Sequence, residues 1–255
     1  MTSSLRFTAA VCALLLAALA PMAARAQDFS TTQRGEIERI VKDYLLKNPE
    51  IMQEVMNELE KKQNLAEAEK HQTAVKTNAN NLFNSTRHVV LGNPQGDVTM
   101  VEFFDYNCGY CKRAMTDMME LLKDTKLKVV LKEFPVLGPG SVEAAQVATA
   151  VRMQDKSGKK YLEFHQKLLS GRGQVDRAKA LATAKEVGLD VAKLEKDMGS
   201  TEVKESLEES FKLAEALGLN GTPSYVIGSD VVIGAVGLPA LKEKVNKARC
   251  GKATC

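Results

Sequence analysis

Residues 98–113 read Val98-Thr-Met-Val-Glu102-Phe-Phe-Asp-Tyr-Asn-Cys108-Gly-Tyr-Cys111-Lys-Arg113. Val98 to Phe104 is dominated by apolar and β-branched side chains, the composition of a buried strand. Cys108-x-x-Cys111 follows at once, and Met115, Met118, Met119 and Leu122 mark a helix behind it. Leu127 to Phe134 is a second strand. Strand, helix, strand is a βαβ unit, for which parallel pairing and a right-handed crossover are expected. The fold class is therefore α/β.

The pattern extends outward from this unit. Upstream, His88 to Leu91 is a short strand and Gly92 to Gly96 a turn. Downstream, Gly138-Pro139-Gly140 ends the unit. Ser141 to about Gly218 is helical, with breaks at Ser157-Gly158, Gly171-Arg172-Gly173, Gly188 and Gly199, which leaves room for about five helices. Gly221-Thr222-Pro223 then punctuates a return to strands. Ser224–Ile227 and Val231–Ala235 form a hairpin about Gly228-Ser229-Asp230, and Leu238 to Ala248 is a final helix.

The chemistry lies in the two cysteines. A cysteine at a helix N-terminus meets free N–H groups and the positive end of the dipole, so its thiolate is stabilised. Cys111 lies one turn deeper, close enough to resolve a mixed disulfide formed on Cys108. Lys112 and Arg113 add positive charge. A purely structural disulfide across so short a loop would contribute little. Zinc requires four ligands, and His71, His88 and His165 show no paired spacing with the cysteines. Copper(I) between two thiolates stays open, although methionines at helical spacing are more often core filler. No metal is assigned.

The segment Val101–Arg113 resembles the active-site region of the DsbA-like thiol–disulfide oxidoreductases. Lys132-Glu-Phe-Pro-Val-Leu-Gly-Pro-Gly-Ser141 and Gly221-Thr-Pro-Ser-Tyr225 are similar to other parts of that family. The resemblance covers roughly His88 to Ala248. It implies a thioredoxin fold with a helical domain inserted before a proline loop. With the N-terminal helices, the chain resembles the subgroup of suppressor-of-copper-sensitivity protein C and the Com-type outer-membrane-associated antigens. The resemblance implies an active-site disulfide between Cys108 and Cys111, and a cis-proline at Pro223 facing it. It also implies that Thr222 presents backbone groups to a bound peptide, and that Glu102 is a buried acid relaying protons. The plain alternative for Glu102 is an edge-facing strand residue. Gly109 and Tyr110 lie between the cysteines and tune the redox potential. Gly109-Tyr110 and Thr222 are similar to periplasmic disulfide isomerases and reductases, so isomerase/reductase is the expected activity, with dithiol oxidase as one alternative and a copper(I)-binding or chaperone-like protein as the other. No cofactor is implied. Cysteine-containing periplasmic proteins are the expected substrates, with a membrane redox partner, either an electron donor or a quinone-linked oxidase.

The beginning of the chain reads as an address. Arg6 precedes an apolar run from Phe7 to Ala20, Pro21 breaks it, and Ala24-Arg25-Ala26 has the small-x-small form of a cleavage site. The run is shorter than the ~20 residues that span a bilayer. A cleavable signal peptide over residues 1–26 and a periplasmic protein are expected; outer-membrane association stays open. Cleavage removes Cys12 and leaves Cys108, Cys111, Cys250 and Cys255. Cys250-Gly-Lys-Ala-Thr-Cys255 is expected to close a small disulfide, with a second redox pair or an intermolecular bridge as alternatives.

Residues 27–86 carry no strand signal. Ile37, Ile40, Val41, Tyr44 and Leu45 share one helical face. Asn48-Pro49 reads as a helix start, and Ile51, Met52, Val55, Met56 and Leu59 continue the period. Two such stripes need a partner, either the following domain or further copies of the chain. A helical oligomerisation segment is expected, with Ala66–Lys76 as a stalk and Asn78–Asn84 as a hinge. The expected domains are 1–26, 27–86, 87–250 with its insert at about 141–218, and a tail at 251–255. The 255 residues are 44% hydrophobic and 26% charged, as suits a soluble globular protein. The 35 Lys and Arg against 32 Asp and Glu leave +3, too even for a nucleic-acid surface. Trp is absent and aromatics are 5%, so base-stacking platforms and a nucleic-acid partner are not expected.

Overall fold

The structure is a computed structural model and describes residues 29–255; the expected signal peptide lies outside the described residues. The chain's contacts part it between Glu60 and Lys61, earlier than the expected 86/87 boundary. In the first unit, helix α1 (Thr31–Lys47) starts with a capping box. The Gln33 N–H donates to the Ser30 hydroxyl at 3.3 Å, and the Ser30 N–H donates to Gln33 Oε1 at 2.9 Å. Helix α2 begins at Glu50 and runs to Thr77. Ile37, Ile40, Val41, Tyr44, Met52, Val55, Met56 and Leu59 are all exposed.

One feature agrees with the sequence reading and one differs from it. The Ala66–Lys76 stalk is the continuation of α2, whose Val75 is buried. Asn78–Asn84 is not a hinge but holds a short helix, α3 (Ala79–Phe83), with Leu82 fully buried. The reason is that lysines reach it from a strand below. Lys132 Nζ donates to the Asn81 carbonyl and Lys128 Nζ to the Phe83 carbonyl, each at 2.8 Å. Asparagine content alone does not reveal such partners.

The second unit is built on a five-stranded sheet in the order β1-β3-β2-β4-β5. The strands are β1 (Val89–Gly92), β2 (Val98–Phe104), β3 (Leu127–Glu133), β4 (Ser224–Ile227) and β5 (Asp230–Ile233). Helix α4 (Gly109–Leu121) joins β2 to β3, which pair in parallel; β1–β3, β2–β4 and β4–β5 are antiparallel. Helices α5 (Pro139–Gln154), α6 (Lys159–Ser170), α7 (Arg177–Glu186), α8 (Val191–Asp197) and α9 (Thr201–Ala216) lie between β3 and β4, and α10 (Leu238–Cys250) closes the chain. This is the thioredoxin architecture with a helical insert. Side chains alternate across β2. Met100 and Phe104 join the core beneath α4, whereas Val101 and Phe103 join Leu82, Leu213 and Leu217 on the other face.

Candidate active site

β2 delivers the chain to the cysteines. Cys108 is the N-cap of α4, and the Cys111 N–H donates to its Sγ at 3.4 Å. A cap residue accepts from the first helical turn, so the helix start itself aims donors at this sulfur. Both cysteines are buried free thiols. The two sulfurs are not bonded to each other in this structure. The Cys108 thiol also lies 3.1 Å from the Thr222 carbonyl. The Thr222–Pro223 bond is cis, as the resemblance implies, and Pro223 is buried beside β4.

The two sulfurs are driven apart in acidity. Hydrogen bonding from the Cys111 side chain pulls Cys108 down to about 5, against the opposing effect of burial. The Thr222 side chain and the N–H groups of Cys111 and Tyr110 assist. Cys111 moves upward: the Cys108 side chain, burial and the charge of Glu102 all favour its neutral thiol. Lys112 and Arg113 are not among the leading causes of the Cys108 shift. Lys112 Nζ donates to the carbonyls of Gly171 and Gly173, and the Arg113 guanidinium stacks 4.4 Å over the exposed Tyr110 ring. Hydrogen bonds, led by the one from the Cys111 side chain, favour the thiolate.

Glu102 sits in the middle of β2, between β3 and β4, so the edge-strand alternative does not hold. Alternation puts it on the α4 face with Met100 and Phe104. It is buried, its Oε2 has no hydrogen-bond partner, and burial, with the nearby Cys108 sulfur, raises its carboxyl to about 8. Tyr225, paired across the sheet with Glu102, is also pushed upward by burial and by Glu102. Gly109 has open space: an added Cβ would meet nothing closer than Arg113 Nη1 at 3.9 Å.

Residues the sequence reading quoted without a role turn out to position the loop. Asp105 is buried, and its carboxylate accepts from the N–H groups of Asn107, Val136 and Leu137 and from the Ser141 hydroxyl, at 2.7–3.0 Å. The Asn107 amide donates to Ser141 Oγ and to the Val175 carbonyl, and accepts from the Val175 N–H at 2.7 Å. The cysteine loop is thereby bolted to the helical insert. A second buried set lies behind it: Tyr161 donates to Glu133 at 2.7 Å, and Tyr106 contacts Tyr161 and His165 Nδ1. Polar residues at the C-terminal end of a strand, before a Cys-x-x-Cys, were the available signal. The Cys250–Cys255 disulfide is formed as expected.

Residues 99–246 match the DSBA-like thioredoxin domain. The chain belongs to that family. Residues 33–66 match the N-terminal domain of copper resistance protein ScsC, in keeping with the subgroup the sequence resembles. A thioredoxin-like oxidoreductase from Silicibacter pomeroyi is 44% identical, with a TM-score of 0.63 over 67% of this chain and 96% of that one. The thiol-disulfide exchange protein alpha-DsbA2 from Wolbachia pipientis is 30% identical, with a TM-score of 0.67 over 71% and 97%. Proteus mirabilis ScsC in a transitional conformation is 26% identical, with a TM-score of 0.64 over 88% and 100%. The chain spans about a quarter of the length of the curated relatives it matches first. The sodium/proton antiporter NhaA 1 of Salinispora arenicola is 27% identical over 65% of this chain and 25% of that protein. The fold of the DsbA-like domain is that of thiol–disulfide oxidoreductases. Among the described residues, no helix is long and apolar enough to cross a membrane.

Proposed function

We propose that this chain is a periplasmic thiol–disulfide oxidoreductase of protein cysteines that works as a disulfide isomerase or reductase. The observation that carries the reading is the Cys108 sulfur. Hydrogen bonds, first from the Cys111 side chain and then from the first turn of α4, favour its thiolate, and it lies against the Thr222–Pro223 loop. Cys108 attacks a substrate disulfide and forms a mixed disulfide, the thiolate being the reactive form. Thr222 and Pro223 hold the substrate segment in an extended pose, as one added strand. Glu102, raised to about 8, is matched to a thiol, and its ionised form takes the proton that Cys111 must lose before it resolves the intermediate. Gly109 and Tyr110 set the potential without touching the sulfur through a side chain.

The reading extends to the rest of the chain. Residues 1–26 direct export and are removed. Residues 27–86 form the oligomerisation segment, because their apolar stripe is exposed. A membrane electron donor keeps the cysteines reduced. Refolding of scrambled, fully oxidised ribonuclease in a glutathione buffer tests the assignment. Recovery of ribonuclease activity that drops on deletion of residues 28–82 is the expected result. No recovery, alongside fast oxidation of reduced ribonuclease, would replace it with the dithiol-oxidase reading.

A further inference from the structure

The Cys250–Cys255 disulfide takes no part in the site described above. Every residue from Cys250 to Cys255 is exposed. Helix α10 ends at Cys250, and Gly251 turns the chain back with φ +78°. A loop this short adds little loop-closure stabilisation. The helix is fastened without it, by buried Leu241 and Val245 and by Arg249, which pairs with Asp97 and Asp124. The disulfide is therefore not a staple that the fold requires. It is an accessible sulfur pair in a small polar segment, Gly-Lys-Ala-Thr, with one side-chain hydrogen bond to its backbone, from Asn246 to Ala253 at 3.0 Å.

Its place in the fold matters. Asp97 and Asp124 precede β2 and β3, whereas Cys108 follows the far end of β2. The seven residues of β2, at about 3.3 Å per residue, put roughly 20 Å of strand between the two ends. Cys108 of the same chain is at the wrong end of the sheet, so exchange with this pair takes place between copies.

We propose that the Cys250–Cys255 pair is a substrate of this chain's own exchange site, oxidised in trans by the Cys108–Cys111 disulfide that a second copy carries after it has reduced a substrate disulfide and before the electron donor restores it. The proposal rests on the exchange chemistry assigned to Cys108 above. A thiolate of the reduced pair, Cys250 or Cys255, attacks Sγ of Cys108. The Cys108–Cys111 bond breaks, Cys111 takes up a proton, and a mixed disulfide joins the two chains. The second thiolate of the pair attacks its neighbour's sulfur and expels Cys108 as a thiolate. One disulfide is broken and one formed. Two electrons pass to Cys108 and Cys111, and of the two thiol protons one goes to Cys111 and one to solvent. The donors that hold the Cys108 thiolate make it a good leaving group, which sets this direction. The end state is a dithiol at Cys108 and Cys111 with a disulfide at Cys250–Cys255.

The test mixes two full-length variants. Cys250→Ser/Cys255→Ser, oxidised at Cys108–Cys111, is the donor. Cys108→Ser/Cys111→Ser, reduced at Cys250 and Cys255, is the acceptor. Thiol alkylation and mass spectrometry follow both. The expected result is an acceptor disulfide that forms at least tenfold faster than with oxidised glutathione at equal concentration, with one donor dithiol appearing per acceptor disulfide. Donor carrying Cys108→Ser as well gives no such acceleration. If the oxidised donor oxidises a reduced dithiol peptide but leaves the acceptor at the glutathione rate, the inference is overturned and the exchange reading survives. If it oxidises neither, both fall.

Discussion

At the scale of single residues, the account depends on two groups moved in opposite directions. Cys108 is lowered to about 5 by hydrogen bonding, while Glu102 is raised to about 8 by burial. For Glu102 the linkage has a definite sign. The unfolded carboxyl ionises near its ordinary 4.5, whereas the folded one stays protonated until about 8. Folding therefore bears a cost that grows as pH rises from 4.5 towards 8. Glu102→Gln removes the cost. The reduced variant is expected to be more stable than the parent near neutral pH, with the difference fading towards pH 4, while resolution of mixed disulfides slows. Denaturant titrations at the two pH values check this. A stability gain independent of pH would show that Glu102 is not held neutral.

At the scale of elements, the cysteine loop is positioned by the helical insert. Asn107 serves both the N–H and the carbonyl of Val175, which is fully buried between α6 and α7. Asn107→Ala leaves both groups unpaired, and a loss of about 2–4 kcal/mol is expected. It would be read as a lower urea midpoint at unchanged slope. A change under about 0.5 kcal/mol would mean that water replaces the amide without cost. This contact also shows where sequence reading stops. β2, β3, the cysteine pair, Pro223 and the inserted helices were legible because each has a local signature of periodicity, spacing or punctuation. Asn107 and Val175 are 68 positions apart, and Lys132 and its partner Glu209 are 77 apart. No local pattern joins such residues. The Asn78–Asn84 stretch was misread for the same reason, because its anchors come from β3.

At the scale of the whole molecule, the apolar stripe of residues 37–59 is the unexplained surface that the oligomer reading absorbs. Val55, Met56 and Leu59 are each more than half exposed at 54–61%, at helical spacing. Met56→Glu with Leu59→Glu places two charges on that stripe without touching a buried group. Light scattering is expected to show an oligomer for the parent and a monomer for the variant, with helix content retained. Identical masses for the two would remove residues 27–86 from any role in assembly.

The central claim is that Cys108, and not Cys111, is the thiolate that begins the exchange. The rate of iodoacetamide alkylation at each cysteine, resolved by mass spectrometry on the reduced full chain between pH 4 and 9, tests it most directly. The account requires Cys108 to react first, with a rate that rises through an inflection near pH 5 and then levels off. An inflection near 9, the ordinary thiol value, or modification of Cys111 ahead of Cys108, would contradict it.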